Sequence, residues 1–265
     1  MRFAILCSEK DEAGKNIFKY VHENLPSLNH HLLTDKDTIY ADNIDKTLLK
    51  DYDFIIFATK HQSQQHNKTL SLHAPGNWNK ADFGGKQGKI CPASALFLKH
   101  IFQILNKNAQ GSEYSCTLEC THHGPYIKKP CCFIEIGSTI EEWKDKQAAK
   151  IIGETIKEAI DSFNEKESSL ENLWLSGIGI GGPHYCPNFN KIQLNSCYAL
   201  GHIIPEYAFP LTEEMLNQAI SKTVPKPEII LLDWKGIGKS EERQKIIKLL
   251  KKLGLKYLRT SEVEK

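Results

Sequence analysis

The sequence predicts an α/β fold, a single layered domain over residues 1–265 in which a mixed sheet carries helices on both faces. Three observations lead there. Segments of period two alternate with segments of helical period along most of the chain. Asp53-Phe54-Ile55-Ile56-Phe57-Ala58 is a continuous apolar run, the pattern of a strand covered on both faces. No Pro/Ser-rich linker divides the chain, and no internal repeat or low-complexity stretch interrupts it.

Taken in order, Arg2 to Cys7 reads as a first strand. Ala13 to Leu25 reads as a helix with Ile17, Phe18, Val21 and Leu25 on one face, stopped by Pro26. Leu28 to Leu33 forms a short strand, Asp42 to Lys50 a short helix, and the run 53–58 a core strand. A polar loop with His61 and His66 leads into the strand Thr69 to His73, and Asp82 to Gly88 is glycine-rich enough for a surface lid. Pro92 to Leu105 is a buried helix with proline in its first turn.

Tyr114 to Cys120 is a strand with Tyr114, Cys116, Leu118 and Cys120 on one face and Ser115, Thr117 and Glu119 on the other; Gly124-Pro125 then ends it. Cys132 to Ser138 is another apolar strand, with one acid, Glu135. Ser138 and Glu141 then form a capping box opening a helix on which Ile140, Trp143, Ile151, Ile152, Ile156, Ala159, Ile160 and Phe163 fall at helical spacing. Asn172 to Ile180 is a strand running into Gly181-Gly182-Pro183-His184-Tyr185, and Cys197 to Pro205 is a further glycine-histidine element. A helix from Thr212 to Ile220, a core strand from Glu228 to Trp234, an amphipathic helix from Ser240 to Leu253 stopped by Gly254, and a short strand at Tyr257-Leu258 complete the chain.

Apolar content of 40% and charged content of 25% are ordinary globular values, and the length allows a core without staples. The eight cysteines include no C-x-x-C pair, so they read as reduced core thiols, neither a zinc ribbon nor a disulfide framework. With no apolar run of membrane-spanning length and a first segment that reads as a strand, the expectation is a cytoplasmic protein with no membrane partner. The formal charge of +2 hides an asymmetry: from Lys222 onward twelve Lys or Arg face six Asp or Glu. Such a basic third suits a polyanion such as RNA, or is a solvated lysine-rich surface.

Chemistry concentrates at strand ends. His73, His122, His123 and His184 each follow a strand and precede a glycine- or proline-containing loop, where ligand sites of layered α/β sheets gather. With Glu119 and Glu135 near, they form a candidate metal and acid/base set, zinc being the metal that suits imidazole plus carboxylate. Neighbouring histidines on an extended backbone point to opposite sides, so one of His122 and His123 is expected to face the site and the other to support it. His61, His66 and His202 are weaker candidates, and His22, His30, His31 and His100 read as helix or surface residues. Cys116, Cys120 and Cys132 are possible soft ligands whose alternation is more simply core packing. There is no H-E-x-x-H, G-x-S-x-G or Walker loop, and no G-x-G-x-x-G opens a helix after a first strand. Gly177-Ile178-Gly179-Ile180-Gly181-Gly182 has the spacing, but Pro183-His184 replaces the helix start, so it reads as a backbone approach to substrate.

At these residues the chain resembles the D-aminoacyl-tRNA deacylases of the archaeal and plant type. The resemblance rests on Cys7-Ser8-Glu9-Lys10-Asp11 with Ala13-Gly14, Leu72-His73-Ala74-Pro75-Gly76-Asn77-Trp78, Thr121-His122-His123-Gly124-Pro125, Glu135-Ile136-Gly137-Ser138-Thr139 with Glu142-Trp143, Gly179 to Tyr185, and Gly201-His202-Ile203-Ile204-Pro205. It implies a zinc-dependent hydrolase with two zinc ions per subunit, cleaving the ester between a D-amino acid, D-tyrosine included, and the tRNA 3′ end. It also implies a core akin to nucleoside phosphorylases and peptidyl-tRNA hydrolases.

The roles inferred from the residues are these. His73, His122, His123 and His184 form the metal and acid/base set, with Glu135 or Glu119 orienting a histidine or taking the water proton. Backbone N–H groups at Gly76-Asn77, Gly137-Ser138 or Gly181-Gly182 face the oxyanion or the terminal phosphate. Lys128, Lys129 and the C-terminal lysines contact the tRNA backbone. A monomer acting on tRNA, not on DNA, is expected. The rival readings are a metal-dependent nucleoside or small-amide hydrolase or phosphorylase, and a non-catalytic zinc-stabilised RNA-binding module.

Overall fold

The computed structural model describes residues 1–64 and 66–263. In chain order the elements are β1 (Phe3–Ser8), α1 (Glu12–Asn24), β2 (His30–Leu33), β3 (Phe54–Lys60), β4 (Thr69–His73), β5 (Ala93–Ser94), α2 (Ala95–Asn108) and β6 (Ser115–Leu118). Then come β7 (Cys131–Gly137), α3 (Ile140–Trp143), α4 (Lys146–Leu173), β8 (Leu175–Ile180), α5 (Pro187–Asn195) and β9 (Tyr198–Ile204). The chain closes with α6 (Glu213–Lys222), β10 (Thr223–Val224), β11 (Ile229–Leu232), α7 (Ser240–Lys252) and β12 (Tyr257–Arg259).

The predicted α/β class with a mixed sheet holds. A six-stranded sheet has the order β2-β1-β3-β7-β4-β6, parallel throughout except where β4 runs antiparallel to β7. A second sheet, β12-β11-β8-β9, is parallel, and β10 pairs with β5 between them. The sequence pattern did not show this division, because both sheets are built from equally apolar strands. Helix α2, buried at ten of its positions, packs against α4 on one side and β9 on the other and so belongs to the core of both.

Alternation on β1, β3 and β7 splits the core of the first sheet. Phe3, Ile5, Phe54, Ile56, Cys132 and Ile134 face the helices α1, α2 and α4. Ala4, Leu6, Ile55, Phe57, Cys131 and Phe133 face the other way, under 3₁₀ turns at Thr38–Tyr40 and Ile44–Lys46. That second face changes character toward the strand ends: β3 passes from Phe57 to Thr59 and β7 from Phe133 to Glu135, with Ser71 and His73 of β4 beside them in register. The site starts where the apolar alternation gives way to polar residues.

Several local expectations are corrected. Residues 42–50 form a 3₁₀ turn at Ile44–Lys46, not an α-helix, because Asn43 takes a left-handed backbone and the apolar spacing is too short to nucleate one. The helix expected from Pro92 starts at Ala95, capped by the Ser94 hydroxyl, with 93–94 drawn into a strand. The capping box is Thr139 with Glu142, one residue later than Ser138 with Glu141. The long helix is broken in two, since Asp145 caps a new start by accepting from the Gln147 N–H. Residues 172–174 finish α4 and are not strand, and α5 was not foreseen at all. No helix among the described residues is long and apolar enough to cross a membrane.

Candidate active site

Residues 118–124 lace the two sheets together. Glu119 N–H donates to the Leu72 carbonyl, Cys120 N–H to His184, and Thr121 N–H to Ile203 of β9. Gly76 N–H donates to the carbonyls of His122 and His123. The loop therefore brings its own side chains against the end of β4, the start of the loop after β3, and the loop after β8.

Seven ionisable side chains converge there: His61, His73, His122, His123 and His184 with Glu119 and Glu135. The ring centroids of His73 and His122 lie 4.2 Å apart, those of His122 and His123 4.3 Å, and those of His122 and His184 4.5 Å. Contrary to the extended-strand expectation, His122 and His123 share one cluster. His123 sits at φ 40°, in the left-handed region, so the chain turns between the two residues and the strand alternation no longer applies.

The hydrogen bonds of three rings aim them. Nδ1 of His73, His122 and His123 lies 3.3, 2.9 and 2.6 Å from the carbonyls of Ala74, Cys120 and Gly124. A ring that donates its Nδ1 proton to a carbonyl keeps the lone pair of Nε2, which is how proteins orient metal-ligating histidines. The ligand atoms of these three lie within 4.8 Å of one another. Beneath them the His73 ring stacks on Phe133, which stacks on Phe57.

The carboxylates sit between the rings. Glu119, 2% exposed, has Oε1 3.1 Å from His61 Nδ1 and Oε2 3.1 Å from His184 Nε2. Glu135, also 2% exposed, accepts from the Thr59 hydroxyl at 2.8 Å and lies 3.6, 3.8 and 3.9 Å from His61, His73 and His123. Burial opposes the charge on both, but the bonds to the surrounding imidazoles win and hold both carboxyls below their usual range. Burial, then the neighbouring His73, His123 and His184, pushes His122 well down, so its ring is neutral. His184 goes the other way: burial lowers it, but Cys120 and Glu119 together raise it to about 10.

The donor set fits a divalent cation. His73 Nε2 and Glu119 Oε1 are buried without a well-formed hydrogen bond, a costly arrangement unless something else meets them. Two groups with no residue in common, His73-His122-His123 and His61-Glu119-His184, each place three ligand atoms within 4.8 Å, and Cys120 reaches the same distance from His122 and His184.

A model of the D-aminoacyl-tRNA deacylase family matches residues 48–258. The chain belongs to that family. Among its relatives, the D-aminoacyl-tRNA deacylase of Thermococcus onnurineus is 37% identical over 86% of this chain and 83% of its own. That of Methanocaldococcus jannaschii is 33% identical over 98% of this chain and all of its own length, 100%. A crystal structure described as a conserved protein of unknown function has a TM-score of 0.87 and 32% identity, covering 98% of this chain and 96% of its own. The resemblance read from the motifs is thus confirmed, and with it membership in a family of enzymes.

Of the residues singled out in the sequence, His73, His122, His123, His184, Glu119 and Glu135 meet in this one cluster. His61, ranked among the weaker candidates, joins them as a full member, because β3 runs on to Lys60 and delivers the next residue to the site. Cys120, read as core packing, has Sγ 2.9 Å from the Tyr207 hydroxyl and 3.7 Å from His184. Tyr185, whose hydroxyl lies 2.6 Å from His61 Nε2, stood in the motifs without a role, and Tyr207 was not picked out at all. His202 is buried away from the cluster against Thr121 and Trp78, and His66 is exposed outside it.

The backbone donors are mostly engaged elsewhere. Gly76 N–H is taken as above, Asn77 N–H donates to Lys89, and Gly181 N–H to Ile204. Ser138 N–H faces the Glu142 carboxylate across the Gly137-Ser138 bend, so the protein's own acid occupies the place read as an anion site. Gly182 abuts Asp233. Lys129 donates to the carbonyls of Leu49, Lys50 and Tyr52 and clips that turn, leaving Lys128 as the exposed lysine of the pair. The segment 82–88 is not a free lid: Gly124 N–H donates to the Phe83 carbonyl and the Asn77 side chain to that of Gly84.

Proposed function

We propose that this chain is a zinc-dependent D-aminoacyl-tRNA deacylase, acting in the cytoplasm as a monomer of one domain, and that it frees tRNA and the D-amino acid by hydrolysing the ester at the tRNA 3′ end. Family membership supports the reaction. The single observation that supports the metal is the trio of rings with Nδ1 held by carbonyls, beside a second donor group that shares none of its residues.

His73, His122 and His123 would hold one ion and His61, Glu119 and His184 the other. Zinc in such a site supplies Lewis acidity and makes water a nucleophile near neutral pH. Glu135 is fixed by Thr59 and Ser71 and touches both donor groups, so it is placed to take the proton from water as oxygen adds to the ester carbonyl. The same proton is then returned to the ribose oxygen as the ester C–O bond breaks. An aminoacyl ester is already reactive, so positioning and charge suffice without a covalent intermediate.

The test is release of D-tyrosine and L-tyrosine from the corresponding tyrosyl-tRNAs, with and without chelator, followed by zinc. Cleavage of the D-ester alone, lost on chelation and restored together with two zinc per chain by elemental analysis, is expected. Cleavage that survives complete metal removal would overturn the zinc reading, and no cleavage by the metal-loaded protein would overturn the deacylase reading.

A further inference from the structure

Among the described residues only three aromatic side chains are more than half exposed: Tyr40 at 53%, Phe83 at 66% and Tyr207 at 58%. A single exposed aromatic needs no explanation, but all three border the histidine cluster. Tyr207 stands at one end, with its hydroxyl 3.3 Å from His184 Nδ1. Tyr40 and Phe83 stand at the other, beside His123.

The Tyr40–Phe83 corner is held in place. Gly124, the residue after His123, donates its N–H to the Phe83 carbonyl at 2.9 Å. Gly84 and Gly85 take φ of 73° and 76°, which lets this loop lie against the strap that carries His123. A Cβ on Gly84 would lie 1.9 Å from the Ile39 carbonyl oxygen and 3.2 Å from the Tyr40 ring, and one on Gly85 would meet Gly124. The segments carrying the two exposed aromatics are thus packed against each other at Gly84 and anchored by backbone contacts to the site itself. Around them the loop carries Lys80, Lys86 and Lys89 against Asp82; Lys86 lies over the Tyr126 ring at 5.1 Å and Lys89 is paired with Glu214. Exposed Lys128 follows two residues after Tyr126.

Exposed aromatics interleaved with lysines beside a reactive centre are the arrangement that holds single-stranded nucleic acid, whose bases stack while its phosphates meet the cations. We propose that Tyr40 and Phe83 form a stacking platform for the unpaired nucleobases of the tRNA 3′ end, with Lys86 and Lys128 alongside the backbone. This rests on the deacylase reading of the same site and adds where its polynucleotide lies. The platform at the His123 end fixes the direction in which the strand enters, and places the terminal ribose, with its ester, over the row His123-His122-His184. Lys86 and Lys128 act on phosphates of any sequence, so the platform admits tRNAs irrespective of the amino acid they carry.

The experiment compares Phe83→Ala, Tyr40→Ala and the double variant on D-tyrosyl-tRNA and on D-tyrosine ethyl ester, a substrate without nucleotides. The expected result is a loss of kcat/KM on the tRNA of roughly 5- to 100-fold per aromatic, carried by KM, with a much smaller change on the ethyl ester. Phe83→Tyr should recover most of it. Independently, Phe83→Trp titrated with an uncharged oligonucleotide ending in unpaired nucleotides should show fluorescence quenching that the unsubstituted protein lacks. Equal losses on both substrates, or absent quenching, would overturn the platform. Failure of the unsubstituted protein to cleave D-tyrosyl-tRNA would instead strike the deacylase reading, and the quenching arm would still decide whether the aromatics meet nucleobases.

Discussion

His61 at the site and His100 between two helices are the same group at the same depth, each 8% exposed, in opposite electrical surroundings, and His184 and His202 extend the contrast. His202 is fully buried on β9 with the Thr121 hydroxyl 3.0 Å from Nδ1, and His100 lies between α2 and α4 with Ser162 2.8 Å from Nε2. Neither touches a carboxylate in these contacts, and burial lowers them to about 3 and about 4. Burial lowers His61 and the half-buried His184 too, yet Glu135 and Glu119 raise the first, and Cys120 with Glu119 raises the second. Burial alone makes a silent, neutral histidine. Burial against a carboxylate makes a charged network that the fold must stabilise, and such a network is retained at a cost that stability alone does not justify.

The sharpest way to break that contrast is to remove the carboxylate charge without changing its shape. Glu135→Gln keeps the volume and the Thr59 contact, and should lower kcat/KM for D-tyrosyl-tRNA by roughly a thousandfold if Glu135 handles the proton. A loss under tenfold would leave it a structural acid. Next in size is the pair His61→Ala and His202→Ala. The first should cost roughly 10- to 100-fold in activity or zinc affinity. The second should leave activity within a small factor while costing about 1–3 kcal/mol of stability, because the Thr121 hydroxyl loses its buried partner. The opposite ranking would dissolve the distinction between the two kinds of histidine.

The pH dependence sharpens it from the other side. His100 and His202 have folded pKa values depressed below 6.5, so the unfolded chain binds more protons in that range. Their contribution to stability is complete above about pH 6.5 and is lost as pH falls toward 4, by at most about 1.4 kcal/mol per pH unit for each. Melting of the metal-free protein followed from pH 7 to 4.5 should show the fall, and His100→Gln should flatten it. The smallest effect belongs to charges that water reaches. Lys245, paired with Glu241 and Glu242 on α7, should be replaceable by Gln with no resolvable change in Tm.

Much of this was legible in the residues. The run 53–58, the alternation before Glu119 and around Glu135, and the caps of α6 and α7 set the class of fold, because local period decides which face a side chain takes. The strand-end histidines His73, His122, His123 and His184 were visible by the same logic. His61 was ranked too low for want of two residues: with the strand ended at Ala58 it read as loop, whereas the structure continues β3 to Lys60 and makes it one more strand-end histidine. Cys120 keeps the buried place in the apolar cluster that alternation gave it, and what the sequence could not show is that its Sγ also reaches Tyr207 and His184.

The sequence by itself determined that this chain is a layered α/β protein of the deacylase family with imidazoles and carboxylates gathered at strand ends. Tertiary structure alone decided that the strands divide between two sheets, that the 118–124 strap ties them together, and that His123 turns left-handed to join His122. It also decided which N–H groups and lysines were already taken. The reason is physical: periodicity and motifs record what each residue does to its near neighbours, while a site of seven ionisable groups is fixed by contacts between segments more than a hundred residues apart, such as His61 with Tyr185. Those contacts depend on how far each strand runs and where each loop turns, and neither is written in the residue that ends up in the cleft.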